Sequence, residues 1–218
     1  RILRGCGQFM ALSNYTRTTL IAAGARPEAI DRVPMPVNAG DYMPSLPPRE
    51  ALIGFAGRID DPRKNISLLL RSVAVLAERG VPIRLKLTGD PSAGLNKLVS
   101  TLNIADRLEW SGWLDPSSLA DFYRSLDVFV FSSSQEGLGI SGIQAMACGV
   151  PVVSTKCGGP EDYVIDGVTG KLCEHTPQAL ADAIYWTISD RERRNDLGSK
   201  SRRLIENEYS QSVFEDNL

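Results

Sequence analysis

Residues 128–154 carry the pattern that decides the fold, and they read VFVFSSSQEGLGISGIQAMACGVPVVS. The stretch starts with a short apolar run and continues through a turn rich in serine and glycine into a short apolar helical segment. A second apolar run, from Val150 to Ser154, ends it. Apolar runs of strand length without alternating polar residues are typical of parallel strands buried on both faces. The stretch therefore predicts a strand, a helix and a second parallel strand.

The same alternation recurs along the rest of the chain. Predicted strands lie at Phe9 to Leu12, Ala51 to Ala56, Ile83 to Leu87, Arg107 to Trp110 and Val128 to Phe131. Predicted helices lie at Tyr15 to Ala23, Ile66 to Glu78, Asn96 to Leu102 and Asp115 to Tyr123, and the pattern is wholly helical from Thr176. We therefore expect an α/β fold, a doubly wound parallel sheet with helices on both faces and a helical C-terminal tail. Residues 1–218 are expected to form a single Rossmann-like domain, in which the proline-dense segment Pro44 to Pro48 joins two sheet elements.

Composition excludes several classes of partner. The chain has 218 residues, 43% hydrophobic and 23% charged, and a net charge of −2, which offers no attraction for nucleic acid or an anionic membrane. No apolar run approaches the roughly 20 residues of a spanning helix. Four scattered cysteines and one histidine predict neither a metal cluster nor a disulfide framework, and they favour a reducing, cytoplasmic compartment. The chain opens without Met, and we expect it to be a piece of a longer protein.

An acid followed by a glycine turn and a helix N-terminus forms the first candidate site. Glu136 stands directly before Gly137 and Gly139, and an apolar helical segment follows. Unpaired N–H groups and the helix dipole favour an anion at such a position. A phosphate that carries hydroxyl groups would suit it. The alternative is that Glu136 only stabilises the helix dipole, by about 0.3–1 kcal/mol.

Two cations form the second candidate site. Arg58 follows a predicted strand and Gly57, and Lys64 lies at the end of the same loop. Ligands of an open parallel sheet bind beyond the carboxyl ends of its strands, where both cations are expected. A guanidinium beside an ammonium is a suitable clamp for a diphosphate. The alternative is a pair of surface cations, with Arg58 bound to Asp60 or Asp61.

Other motifs argue against competing chemistries. The glycines at 137, 139 and 142 follow a late strand and do not form the dinucleotide fingerprint of an oxidoreductase. Neither a G-x-S-x-G elbow nor a Walker lysine motif occurs. Cys148 is expected to pack as a small apolar residue, Cys157 to be inert, and His175 to be a solvated or capping residue. The Gly158-Gly159-Pro160-Glu161 turn resembles the first glycine turn, with a simple tight turn as its alternative.

The order and spacing of these pieces resemble the C-terminal donor-binding half of family 4 (group 1) retaining glycosyltransferases of the GT-B fold. The matching segments are 33–38, Gly57-Arg58 with Lys64, 87–89, 110–113, 132–139, 145–153, 158–161 and 166–170. Each segment alone is a weak signal. Together they cover most of the chain.

The resemblance implies a role for each candidate residue. Arg58 and Lys64 would hold the donor diphosphate and compensate the charge that grows on it as the glycosidic bond breaks. Glu136 would accept hydrogen bonds from hydroxyls of the donor sugar. The nucleotide base would lie near Gly112, Trp113 and Leu114. The remaining implied donor-binding residues are Gly57, Gly137, Gly139, Ile140, Ser141 and Gln144.

Gln144 departs from the family pattern, which usually has a second glutamate at this position, in contact with the ribose hydroxyls. A glutamine can accept a hydrogen bond from one hydroxyl and donate to another, but it loses the charge-assisted bonds of a carboxylate. The substitution therefore bears on donor affinity or on the choice of nucleotide.

The resemblance also implies a missing partner. The acceptor site of such enzymes lies in an N-terminal domain, so we expect this chain to be inactive alone, with any membrane contact made only by the absent half. No cofactor and no metal are expected, and Glu136 lacks an obvious second carboxylate, which favours front-face transfer with retention over hydrolysis.

Two alternatives from other classes stay open at this stage. One is a non-catalytic nucleotide-sugar-binding module, with Gln144 as the trace of lost catalysis. The other is a GT-B isomerase or phosphorylase, which would use the same phosphate-binding residues for different chemistry.

Overall fold

The structure is a computed structural model that describes residues 7–42 and 51–216. Its strands are β1 (Phe9–Ala11), β2 (Ile30–Arg32), β3 (Ala51–Phe55), β4 (Ile83–Leu87), β5 (Leu108–Trp110), β6 (Val128–Phe131), β7 (Val152–Thr155) and β8 (Gly170–Cys173). Its α-helices are α1 (Asn14–Ala22), α2 (Ile66–Glu78), α3 (Ala93–Leu102), α4 (Pro116–Arg124), α5 (Ile140–Ala147), α6 (Pro177–Ile188), α7 (Arg191–Glu208) and α8 (Gln211–Asp216).

Six strands form one parallel sheet in the order β5-β4-β3-β6-β7-β8. The chain moves outward from β3 to β5 on one side and from β6 to β8 on the other. This arrangement is a doubly wound sheet, and the predicted fold class is confirmed. The sheet order reverses between β3 and β6, which are adjacent at its centre.

Helices cover both faces of this sheet, because its central strands are apolar on both sides. In β6, Val128 and Val130 pack into one core, with residues of α2 and α6. Phe129 and Phe131 alternate with them and pack into the opposite core, with residues of α4 and α5. Consecutive side chains of a strand point to opposite faces, so a strand without polar alternation needs cover on both.

A second, two-stranded parallel sheet joins β1 and β2, and α1 connects these strands. Its small core contains Ala11, Ala25 and Ile30. The sequence predicted β1 as part of one strand series, whereas β1 lies in this separate sheet, and neither β2 nor β8 was predicted. The assignment of residues 1–218 to a single domain stays a prediction, and the segment Pro44 to Pro48 lies outside the described residues.

Three predicted elements have the bounds found in the structure, namely α2, β4 and β6. β7 begins at Val152 rather than at Val150, because Gly149 and Val150 form the turn that ends α5. Gly149 turns the chain with a φ of +74°, and the Val150 N–H donates to Ala145 O at 3.0 Å. Among the helices of residues 7–42 and 51–216, none combines the length and apolar character needed to span a membrane.

Candidate functional site

The candidate site lies beyond the carboxyl ends of β3 and β6, where the sheet order reverses. The loop after β3 carries Gly57 and Arg58, and the loop after β6 carries Glu136. Loops diverge at such a switch point and leave a crevice, which is where ligands of open α/β sheets bind.

Two adjoining cavities occupy this crevice. The charged cavity, of about 410 Å³, is lined by Arg58, Lys64, Glu136, Gly137, Gly139 and Ile140, among others. The apolar cavity, of about 240 Å³, is lined by Thr88, Trp113, Leu114, Leu119, Tyr123 and Gln144, among others. Gly57, Arg58 and Ser141 border both. Every site residue predicted from the sequence thus lines at least one cavity, and the roles of these residues stay predictions.

Lys64 and Glu136 form an ion pair in the charged cavity. Lys64 Nζ donates to Glu136 Oε1 at 2.7 Å, and the exposed fractions of the two side chains are 19% and 8%. Ser133 Oγ donates to the same oxygen at 2.6 Å. Within the described residues, Glu136 Oε2 accepts no hydrogen bond, so this oxygen is available to a ligand.

A short turn directs Lys64 into the cavity. Residues Pro62–Lys64 form a single 3₁₀ turn, and the Asp61 side chain caps it by accepting a 3.0 Å bond from Arg63 N. Asn65 then adopts a left-handed conformation with a φ of +47°, and α2 begins at the next residue. Ser132 Oγ donates to Lys64 O at 2.8 Å, which ties this turn to the loop after β6.

Arg58 is only weakly engaged by the protein. Its Nη2 lies 3.4 Å from Asp61 Oδ2, and 65% of its side chain is exposed. Asp61 is held mainly by Arg63, through bonds of 3.1 and 2.7 Å, and these hydrogen bonds lower the pKa of Asp61 to about 2. The surface pair of Arg58 with Asp61, which was the alternative to a phosphate clamp, therefore exists only as a weak contact. Arg58 lines both cavities.

The glycine turn leaves the N-terminus of α5 open toward the charged cavity. Gly139 is the N-cap with a φ of +80°, and none of the described side chains caps this helix. A Cβ atom at Gly139 would lie 2.8 Å from Tyr163 Oη and 2.9 Å from Phe131 Cζ, so glycine is required by both conformation and space. The N–H groups of Ile140 and Ser141 bond to no described residue, and they remain available to an anion.

The second glycine turn supports the first one. Glu136 N donates to Cys157 O at 2.7 Å, and Gly159 N donates to Glu136 O at 2.9 Å. A Cβ at Gly159 would lie 2.3 Å from Gly137 O, so only glycine allows this approach. The turn at Gly158 is therefore a tight turn that fixes the backbone of Glu136, and it lines neither of the two cavities.

Two tyrosines fix the amide of Gln144. Tyr123 Oη donates to Gln144 Oε1 at 2.9 Å, and Gln144 Nε2 donates to Tyr42 Oη at 3.0 Å. Burial raises the pKa of Tyr123 far above its ordinary value, so the phenol keeps its proton and needs an acceptor. This need sets the orientation of the amide. One lone pair of Oε1 and one hydrogen of Nε2 remain for a ligand.

Residues from the β1–α1 turn and from the start of α1 also reach the site, and the sequence did not reveal them. Ser13, the N-cap of α1, donates through Oγ to Gly137 O at 2.6 Å. Tyr15 Oη accepts from Gln135 Nε2 at 2.8 Å, and Leu12 lines the charged cavity. The other missed contacts are those of Ser133, Tyr42 and Tyr123. Only the position of Ser133, three residues before Glu136 in the same loop, could have indicated its contact.

The described cysteines are buried, and the histidine is exposed. Burial raises the pKa of Cys157 to about 11 and that of Cys148 to about 12, so both thiols stay protonated. His175 is exposed, and its Nε2 lies 3.1 Å from Ser133 O. Among the described residues, no group of three or more His, Cys, Asp or Glu side chains is arranged to hold a metal ion.

A sequence model of the family described as glycosyl transferases group 1 matches residues 44–204. The chain belongs to this family. The family resemblance stated from its motifs is therefore confirmed, and the matched residues include both cavities apart from Leu12 and the Tyr42 contact.

This group 1 chain is similar to curated D-inositol 3-phosphate glycosyltransferases. It is 33% identical over 204 residues to D-inositol 3-phosphate glycosyltransferase of Rhodococcus opacus, which covers 84% of this chain and 46% of that protein. It is 36% identical over 168 residues to D-inositol 3-phosphate glycosyltransferase 2 of Catenulispora acidiphila, which covers 72% of this chain and 39% of the relative. The chain spans about half the length of the curated relatives it matches.

Solved structures confirm the fold of this group 1 chain. Alr3699/HepE of Anabaena, solved in complex with UDP and glucose, superposes with a TM-score of 0.88 at 22% identity, over 99% of this chain and 62% of HepE. Sucrose-phosphate synthase of Thermosynechococcus elongatus superposes with a TM-score of 0.90 at 26% identity, over 99% of this chain and 57% of the synthase.

Proposed function

We propose that this chain binds a nucleoside-diphosphate sugar across the two cavities, and that the whole protein transfers the sugar, with retention, to an acceptor. The observation that carries the proposal is the Lys64–Glu136 pair beside the open N-terminus of α5. It sets a cation for phosphate and an acid for sugar hydroxyls in one cavity, which the residues with free N–H groups, Ile140 and Ser141, also line.

The diphosphate fits the charged cavity. Arg58, Arg63 and Lys64 line it against two carboxylates, those of Asp61 and Glu136. The exposed Arg58 guanidinium is free to fork onto two phosphate oxygens, while the N–H groups at the start of α5 meet others. These groups also stabilise the nucleoside diphosphate as it departs, because negative charge grows on it when the glycosidic bond breaks.

The sugar fits beside Glu136, in the charged cavity that Gly137 and Leu12 also line. Glu136 Oε2 has no partner among the described residues, so it can accept a hydrogen bond from a sugar hydroxyl. Asp61, the other acid of this cavity, is bound to Arg63. A single available carboxylate agrees with a front-face transfer rather than with the paired carboxylates of glycosidases.

The nucleoside fits the apolar cavity, which begins where the charged cavity ends, at Arg58 and Ser141. Gln144 lies one helical turn beyond Ser141 on α5, within reach of a ribose attached to the diphosphate. The base would lie against Trp113 and Leu114, and Trp113 is 77% exposed. Uridine is the first base to test, because HepE is solved with UDP and with UDP-glucose.

The remaining parts of the proposal concern the whole protein. An acceptor-binding domain outside this chain completes the active site, so the isolated chain binds donor but transfers no sugar. The reaction needs neither a cofactor nor a metal, and the protein binds no nucleic acid. The protein works in the cytoplasm, where the buried thiols of Cys148, Cys157 and Cys173 stay reduced.

Calorimetric titration of the chain with UDP, GDP and ADP, with and without their sugars, tests the proposal. We expect one nucleotide to bind and the double variant Arg58→Ala, Lys64→Ala to abolish binding. The control is Arg71→Ala, Lys97→Ala, which removes the same charge from exposed positions. Failure of every nucleotide to bind at millimolar concentration would contradict the donor site, and sugar transfer by the isolated chain would contradict its predicted inactivity.

A further inference from the structure

Ser133 is a fully buried serine in the loop after β6. Its hydroxyl donates to Glu136 Oε1 at 2.6 Å, in a bond between two largely buried groups. A hydrogen bond to a carboxylate is roughly twice as strong as one between neutral groups, so this contact can fix the carboxylate.

Ser133 is itself held in place from two directions. Its carbonyl oxygen accepts a 2.6 Å bond from Thr155 Oγ1 on β7 and lies 3.1 Å from His175 Nε2. The backbone of Glu136 is fixed as well, by its bonds to Cys157 O and Gly159 N. The remaining freedom of Glu136 lies in its side-chain torsions, which among the described residues only Ser133 and Lys64 restrain through hydrogen bonds.

A bound diphosphate would compete with the acid for the Lys64 ammonium, because both are anions beside the same three N–H donors. Lys64 donates to the same Oε1 atom as Ser133, while facing the cavity that would hold the diphosphate. When phosphate oxygens attract the ammonium, the Ser133 hydroxyl is the one described donor that still holds the carboxylate.

We propose that Ser133 is a positioning residue, which holds the Glu136 carboxylate through Oε1 so that Oε2 faces the donor sugar once Lys64 has turned to the diphosphate. This inference rests on the proposed function. Its consequence is selective, because Ser133 acts on the sugar end of the donor and not on the nucleotide.

The test is a comparison of UDP with UDP-glucose, UDP-galactose and UDP-N-acetylglucosamine by calorimetry on the chain. We expect Ser133→Ala to weaken binding of the UDP-sugar that the wild type binds best by about tenfold, and to leave UDP binding within about twofold. In a Glu136→Ala background, Ser133→Ala should cause no further loss, as a double-mutant cycle requires for groups that act through each other.

Two variants separate positioning from a general loss of structure. Ser201→Ala removes another fully buried hydroxyl, which donates to Thr169 O far along the chain, and should change neither affinity. Ser133→Cys keeps the volume with a weak donor, and it should show the same selective loss if Ser133→Ala fails to fold.

The outcomes distinguish the two proposals. If wild-type chain binds no UDP at millimolar concentration, the choice of UDP within the proposed function fails and the positioning role fails with it. If UDP and UDP-sugars bind but the Ser133 variants weaken all of them equally, or none, the donor site stands and the positioning role is overturned. Binding of UDP without binding of any of the three UDP-sugars also counts against it.

Discussion

Lys64 Nζ lies 2.7 Å from Glu136 Oε1, although the two residues are 72 positions apart in the sequence. The cation comes from the turn before α2 and the acid from the loop after β6, so the pair bridges the two central strands of the sheet. A donor that contacts both groups would place its diphosphate on the ammonium and a sugar hydroxyl on Glu136 Oε2, the oxygen that the ion pair leaves open. Binding of a diphosphate and binding of a sugar are therefore coupled through one ion pair.

Removal of Lys64 should cost stability, whereas removal of Arg58 should not. Lys64→Ala leaves a largely buried carboxylate with Ser133 alone, and we expect a loss of about 1–3 kcal/mol in the free energy of unfolding. Arg58 is 65% exposed and weakly paired, so Arg58→Ala should cost less than about 1 kcal/mol. Urea denaturation measures both. Equal losses would show that the Lys64–Glu136 pair contributes no more than a surface contact.

Replacement of Gln144 by glutamate should change UDP affinity by no more than about threefold. The amide already offers one donor and one acceptor to a ribose, and the Tyr42 hydroxyl can turn to donate to a carboxylate. Calorimetry on Gln144→Glu checks this, with Gln178→Glu on α6 as the control for the added charge. A rise above tenfold would instead favour a donor site that has decayed into a binding module.

Alanine at Gly139 should destabilise the chain more than alanine at Gly80. Both glycines have positive φ angles, +80° and +70°, so both substitutions strain the backbone by about 1 kcal/mol. Only Gly139 would also place a Cβ against Tyr163 Oη, at 2.8 Å, while Gly80 faces open space. We expect an extra loss of about 1–3 kcal/mol, and a lower UDP affinity, for Gly139→Ala alone. Equal thermal stability of the two variants would contradict the packing of this turn.

Cys148 and Cys157 should resist alkylation in the folded chain. Burial raises the pKa of both thiols, to about 12 and about 11, and only the thiolate reacts quickly. Iodoacetamide labelling at pH 8, with mass spectrometry of the separate peptides, should show slow labelling in buffer and complete labelling in denaturant. Rapid labelling of Cys157 in buffer would mean that it is an accessible nucleophile.

The sequence predicts the central sheet well, because each of its long strands has a clear apolar pattern. β4, β6 and α2 have the predicted bounds, since β6 is an unbroken apolar run, α2 has a helical period, and the apolar residues of β4 recur at every second position. β2 and β8 were missed, because each is short and carries charged or exposed side chains. Placement of β1 in a separate sheet could not be predicted, since an apolar run does not reveal its pairing partner.

The candidate site, like the fold, could be predicted from the sequence only in part. Residues such as Arg58 and Glu136 follow strands directly, so their common position at one edge of the sheet could be predicted. Ser13 and Tyr42 contact the site across 124 and 102 positions of sequence, at Gly137 and at Gln144. Such contacts arise from tertiary packing, and no local pattern indicates them.

A crystal structure of this chain with bound UDP would test the proposed donor site most directly. We expect phosphate oxygens within hydrogen-bond distance of Arg58, Lys64 and the first N–H groups of α5, with Lys64 Nζ moved from Glu136 Oε1. We also expect the uracil against Trp113 and Leu114. A nucleotide bound elsewhere, or one bound in the cavity with the 2.7 Å Lys64–Glu136 contact unchanged, would contradict the proposed site.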